Sequence, residues 1–211
     1  MFVKDFMSTN LVVTTEDTTI NEAGEQMRKN NLARLPVVRD GKLVGIITRE
    51  DLLKVTPSAA TTLSVWELNY VLSKLVVKDA MAKQLFTISP EATLEEAALL
   101  MRSNEVGALP VVDNGQLIGI ITESDIFDAF LDLMGLKQTG VRLTVDLEDR
   151  IGAIADLTDI IKSKGVNIIS LALFHHKSGE LVLRLDGQNT AEVIRAIEEN
   201  GYRIVHKATW D

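Results

Sequence analysis

Two hydrophobic periodicities alternate along the chain. Leu35-Pro36-Val37-Val38 and Val44-Gly45-Ile46-Ile47 are short apolar runs on either side of Asp40-Gly41, the pattern of two strands joined by a tight hairpin. Ahead of them, Ile20, Ala23 and Met27 share one helical face behind Thr19-x-x-Glu22, a capping box that satisfies free N–H groups at a helix start. A strand over 11–15 precedes that helix, and Thr48 closes the hairpin and opens another helix. The predicted order is β-α-β-β-α.

The same order returns further on. Leu35 becomes Leu109, Gly45 becomes Gly119, Val3 becomes Val77 and Met27 becomes Met101, a constant offset of 74 residues with no gap. Thr93-x-x-Glu96 repeats the capping box, Asn114-Gly115 the hairpin turn and 85–89 the first strand. The last helix of the second copy is expected to end at Gly135. A gapless duplication predicts one unit built twice and packed as a pseudo-symmetric pair, with two quasi-equivalent sites. The copies occupy 1–56 and 77–136. Between them, 57–76 reads as a helical connector: Leu63, Trp66 and Tyr70 share a face, while Val65, Leu68 and Leu72 cover much of the rest. A helix apolar on so many sides is expected to pack on its own repeats and on a partner subunit.

After Lys137-Gln138-Thr139-Gly140 a different unit, 141–207, begins. Strand 141–147, helix 152–164, strands 168–174 and 181–185, a helix capped by Thr190 and strand 202–205 give βαββαβ, the split-βαβ or ferredoxin-like arrangement. The fold class is α/β in the broad sense, and α+β in organisation.

Composition narrows the function. Hydrophobic residues make up 46% and charged residues 25%, an ordinary globular balance. The net charge of −8 disfavours nucleic acid and anionic membrane as partners. With no cysteine there are no disulfides, thiolate metal ligands or cysteine nucleophiles, which fits a reducing, cytoplasmic setting. Met1-Phe2-Val3-Lys4-Asp5 does not have the form of a signal peptide, and no apolar run reaches the roughly 20 residues needed to cross a bilayer.

Catalytic constellations are absent from the residue inventory. His175 and His176 are neighbours in a strand and point to opposite faces, so no metal site is expected of them. There is no phosphate-loop or nucleophile-elbow motif. The reading is therefore not an enzyme, with no catalytic residue, metal or catalytic cofactor. The strongest chemistry is Gly-Ile-Ile-Thr-x-x-Asp, present at 45–51 and 119–125. A small glycine lets other groups approach the strand. Thr48 or Thr122 stands at a helix start, where free amides favour phosphate, and Asp51 or Asp125 can accept hydrogen bonds from a ribose diol. The spacing is also a capping-box variant, and capping alone accounts for both residues.

The series Leu-Pro-Val-Val, Asp/Asn-Gly and Gly-Ile-Ile-Thr-x-x-Asp resembles a CBS domain, and two in tandem resemble a Bateman module. The resemblance implies clefts that bind adenine nucleotide (AMP, ADP or ATP) or S-adenosylmethionine. It places Thr48 and Thr122 at phosphate, Asp51 and Asp125 at ribose, and backbone near Thr14, Thr15, Ile88 and Ser89 at the base. Arg34 and Ala108, which precede Pro36 and Pro110, would flank the ligand. Arg34 and Arg49 in the first copy are Ala108 and Glu123 in the second, so unequal sites are expected, the first favouring the more charged nucleotide. Residues 141–207 resemble an ACT domain, which implies an amino-acid effector or dimerisation, with Asp149, Gly152 and Asn167 as contacts. Ile151 stands where that family commonly has proline. The whole order resembles the acetoin-utilisation protein B-like group, a pathway association that carries no mechanism. The resulting expectation is a homodimeric sensor acting on a separate target protein. The rival reading is a ligand-free assembly module.

Overall fold

The computed structural model describes residues 1–55, 74–176, 178–187 and 189–210. The connector helix expected over 57–76, with Trp66 and Tyr70, lies outside the described residues as far as residue 73. Two compact units divide the chain, 1–126 and 127–211.

The first unit contains both copies of the repeat as far as residue 126. In the first copy, α1 (Val3–Phe6), β1 (Thr14–Thr15), α2 (Ile20–Lys29), β2 (Arg34–Arg39), β3 (Lys42–Thr48) and α3 (Arg49–Val55) follow in order. In the second, α4 (Val77–Ala80), α5 (Leu94–Asn104), β4 (Ala108–Asp113), β5 (Gln116–Thr122) and α6 (Glu123–Leu133) repeat them. Both capping boxes form: the Glu22 amide donates to Thr19 Oγ1 at 3.2 Å, and the Glu96 amide to Thr93 Oγ1 at 3.2 Å. Ile20, Ala23 and Met27 are buried, as are Leu94, Ala97 and Met101. At the hairpin turns φ is positive at both central residues, Asp40 and Gly41 in one and Asn114 and Gly115 in the other, which is what a type I′ turn requires.

The expected strands 11–15 and 85–89 are shorter than predicted. Only Thr14–Thr15 pairs, parallel to Val37 and Val38 in the sheet β1-β2-β3, and its counterpart is a single bridge from Ile88 to Val111 beside β4-β5. The cause lies upstream. Ser8 exchanges hydrogen bonds with Ile120 of the other copy at 2.9 and 3.0 Å, and Ala82 with Ile46 at 2.9 and 3.1 Å. The chain between Ser8 and Thr14 therefore crosses from one sheet to the other and cannot run as an unbroken strand.

The leading segments are in fact exchanged between copies. Val3 and Lys4 donate to the carbonyls of Ala92 and Pro90, while Val77 and Lys78 donate to those of Thr18 and Glu16. Val77 and Met81 belong to the core built by Ile20, Met27, Leu35 and Ile47. Glycine makes the exchange possible. A Cβ on Gly45 would collide with Met81, and one on Gly119 would stand 2.6 Å from Met7 Sδ and 3.2 Å from the Ser8 carbonyl.

In the second unit β6 (Gly140–Leu147), α7 (Ala153–Ser163), β7 (Ile168–His176), β8 (Ser178–Leu185), α8 (Thr190–Glu199) and β9 (Arg203–Trp210) form the βαββαβ order with sheet order β7-β8-β6-β9. Leu143, Val145, Leu181, Leu183 and Leu185 pack against Leu157, Ile161, Val193 and Ile197. Thr190 is the first helical residue rather than the cap. Asn189 takes the cap position in the left-handed region, with φ 57°. Gly135 ends α6 with φ 68°, where glycine is favoured. Arg184 is buried, with its guanidinium donating to the Gln138 carbonyl at 3.0 Å and lying 4.8 Å from the Trp210 ring.

Candidate functional site

Two cavities of the first unit draw on both copies. One, of about 550 Å³, is lined by Ile46, Thr48, Arg49, Glu50 and Asp51 of the first copy and by Gln84, Leu85, Phe86, Glu105, Ala108 and Pro110 of the second. The other, of about 380 Å³, is lined by Ile120, Thr122, Glu123, Ser124 and Asp125 of the second copy and by Asn10, Leu11, Val12, Asn31 and Pro36 of the first. Both volumes fall in the range of small-molecule sites.

The crossing regroups the residues expected to act together. Thr48, Arg49 and Asp51 share a cavity with Arg34, Ala108 and Pro110, whereas Thr122 and Asp125 share theirs with Arg34 and Pro36. Thr14, Thr15, Ile88 and Ser89 line neither. Their backbones sit in or beside the parallel pairings: the Ile88 amide donates to the Pro110 carbonyl at 3.1 Å, and Thr14 pairs with Val37. The Thr15 hydroxyl bonds Thr18 Oγ1 at 2.9 Å, and Ser89 Oγ accepts the Glu91 amide at 3.3 Å. Thr14 Oγ1 is buried with no partner among the described residues. Leu11, Val12, Leu85 and Phe86 stand in the clefts in their place. The repeat could have paired those four positions with one another, but not placed them opposite the other copy's threonine.

At each cleft the Thr-x-x-Asp geometry is a completed capping box. Thr48 donates its amide and its hydroxyl to Asp51 Oδ2, at 3.0 and 2.7 Å, and accepts the Asp51 amide at 3.2 Å. Thr122 and Asp125 repeat this at 2.7, 2.7 and 3.3 Å. The box fixes the carboxylate and leaves its second oxygen directed elsewhere. At Asp51 that oxygen faces Lys54 Nζ at 3.3 Å. The box occupies one oxygen of each carboxylate, so capping and a ligand contact through the other oxygen are not exclusive.

Charge differs between the clefts in kind more than in sum. The Thr48 cleft has Arg34 and Arg49 against Glu50, Asp51 and Glu105, and the Thr122 cleft has Arg34 against Glu123 and Asp125. The formal totals are equal. What differs is the residue after the threonine, a guanidinium in one cleft and a carboxylate in the other.

In the second unit Asp149, Gly152 and Asn167 are all exposed. Gly152 stands before α7 with φ 88° and open space where a Cβ would be. The Asn167 carbonyl accepts the Asp186 amide at 3.0 Å. Beside them Arg150 pairs with Asp156 at 2.6 Å, and Ile151 is fully exposed. Among the described residues no cluster of three His, Cys, Asp or Glu is placed to hold a metal, and no helix is long and apolar enough to cross a membrane.

Comparison with known proteins gives two family matches: the CBS domain over residues 3–58 and 77–132, and the TTHA0829-like ACT domain over residues 139–207. A CBS domain-containing protein of Dictyostelium discoideum is 38% identical over 136 residues, 64% of this chain and 94% of that one. Other relatives are longer: the chain spans 46% of a Methanocaldococcus jannaschii protein and 34% of the inosine-5'-monophosphate dehydrogenase of Korarchaeum cryptofilum. Among solved structures, CBSX2 in complex with AMP is 35% identical at TM-score 0.52, over 62% of this chain and 96% of that one. The CBS domain pair of protein MJ0100, in complex with 5-methylthioadenosine and S-adenosyl-L-methionine, is 28% identical at TM-score 0.52, over 65% and 98%. A putative acetoin utilization protein from Vibrio cholerae is 28% identical at TM-score 0.54, over 65% and 95%.

Proposed function

This chain belongs to the CBS-domain family, with a TTHA0829-like ACT domain behind its tandem pair, and from that premise we propose that it is a non-catalytic sensor holding adenine nucleotides in its two crossed clefts. The observation that carries the reading is the placement of each Thr-x-x-Asp box opposite the Pro-bearing strand start of the other copy. Phosphate would lie at Thr48 and Thr122, ribose at Asp51 and Asp125, and base against Leu85-Phe86 or Leu11-Val12. The ligands named for the AMP-bound and S-adenosylmethionine-bound relatives support the chemical class. Arg49 beside Thr48 offers a paired donor to a polyphosphate, where Glu123 beside Thr122 would repel one, so ATP is assigned first to the Thr48 cleft. The ACT domain takes a second effector at Asp149, Gly152 and Asn167 or joins two copies in a dimer. The signal passes to a separate protein.

Calorimetry on the whole chain with AMP, ATP and S-adenosylmethionine tests this. Binding of at least one of them, lost on combining Asp51→Ala with Asp125→Ala, is the expected result. ATP heat abolished by Asp125→Ala but untouched by Asp51→Ala reverses the order of the clefts. Silence with all three ligands favours an assembly module, a reading consistent with Thr-x-x-Asp boxes that are satisfied without any ligand.

A further inference from the structure

The repeat relates the two clefts position by position. Ser8, Leu11, Val12 and Pro36 in one answer to Ala82, Leu85, Phe86 and Pro110 in the other. Arg34 breaks the relation, since it lines both cavities while its counterpart Ala108 lines only one. The reason is local. Both terminal guanidinium nitrogens of Arg34 would stand 3.2 Å from a Cβ placed on Gly107, and Glu123 Oε2 would stand 3.1 Å from the same point. The guanidinium thus lies against bare backbone at the junction of the clefts, with the carboxylate beside it.

The counterparts of Gly107 and Glu123 are Ala33 and Arg49. Three differences between the copies therefore meet around Gly107: a long cation, the bare backbone it lies against and an anion near the same backbone. Among the described residues no hydrogen bond or ion pair holds the Arg34 guanidinium in place.

We propose that Arg34 is a single cation shared by the two clefts, so that a phosphate group bound in one withdraws it from the other. This rests on the adenine-nucleotide reading of the clefts. A guanidinium forms its two-pronged bond with one phosphate at a time. When a ligand in the Thr48 cleft engages Arg34, Glu123 is left to repel a phosphate entering the Thr122 cleft. Phosphorylated ligands consequently bind with negative coupling, and uncharged nucleosides bind independently. The coupling is reciprocal, as linkage requires.

The test is calorimetry on the full chain with two probes, ATP and adenosine. Asp51→Ala leaves only the Thr122 cleft and Asp125→Ala only the Thr48 cleft, which gives the affinity of each cleft alone. The weaker stepwise constant of the unmodified chain is then compared with that of the same cleft alone. For ATP the ratio is expected on the order of tenfold, within the usual range of coupling between sites, and near one for adenosine. Arg34→Ala brings the ATP ratio to near one. Gly107→Ala, which lifts the guanidinium from its seat without removing it, lowers the ratio as well. A ratio near one for ATP in the unmodified chain overturns the proposal, as does a tenfold ratio that survives Arg34→Ala. Failure of ATP and adenosine alike to bind in any cleft overturns the ligand reading itself, and the coupling with it.

Discussion

Asp51 and Asp125 each accept two hydrogen bonds from the threonine three residues earlier, so the motif caps a helix and fixes a carboxylate in one act. The cap was legible in the spacing. The position of Arg34 was not, because a repeat relates equivalent residues and not those that come together across the copies. The motif glycine was legible in kind, since its lack of a side chain implied close approach, but the approaching group turned out to be the other copy's chain. Gly119→Ala should therefore destabilise the first unit by about 1–3 kcal/mol, the usual cost of overpacking, read as a lower urea midpoint at unchanged slope. Glu22 carries a different prediction. Hydrogen bonds from the Thr19 amide, and then from its hydroxyl, lower its pKa in the fold. A carboxylate with a depressed folded pKa contributes stability that is present above its unfolded value and lost as pH falls through the folded one. Stability should accordingly fall with acid below about pH 4.5, the ordinary value for this group. Glu22→Gln, which keeps the acceptor and removes the titration, should flatten the slope of denaturation midpoint against pH there.

At the scale of elements, the helices and hairpins follow from apolar periodicity and turn chemistry, and the ends depart where the chain makes distant bonds. Strand 11–15 shrinks to two residues because Ser8 is anchored to Ile120. Strand β9 extends to Trp210 because β6 offers partners along its whole length, up to the Gly140–Trp210 pair. Neither anchor leaves a local mark in the sequence. The exits of α2 and α5 show what the copies share. Asn31 and Glu105 are repeat counterparts, and both adopt the left-handed region, with φ of 52° and 53°. Asparagine adopts that conformation at lower cost than glutamate. Glu105→Asn should raise stability by about 0.5–1 kcal/mol, the range found when a residue suits a constrained backbone site, measured by urea denaturation.

Taken whole, the first unit has cores to which both copies contribute. Val77, from the second copy, is fully buried in the core of the first, and Val3 is fully buried while bonded to the second. Val77→Ala should cost about 2 kcal/mol, at the lower end of large-to-small core substitutions. The loss should register equally in amide-exchange protection of β2 and of β4, because neither copy is closed without the other; protection lost from β2 alone would show the copies to be independent. The duplication announced two quasi-equivalent sites. Only the exchange of leading segments explains why each cleft is made from both halves.

That exchange also sets a timetable for synthesis. A domain whose contacts are sequential can close as it leaves the ribosome. Here the first copy waits for Val77 and Met81 before its core is complete, and residues 1–8 wait for the strand that ends at Thr122. Residues 1–8 are thus made well before the partners they bond. The first copy's sheet and apolar side chains should therefore stay uncovered during synthesis until the segment around Val77 and Met81 has been made.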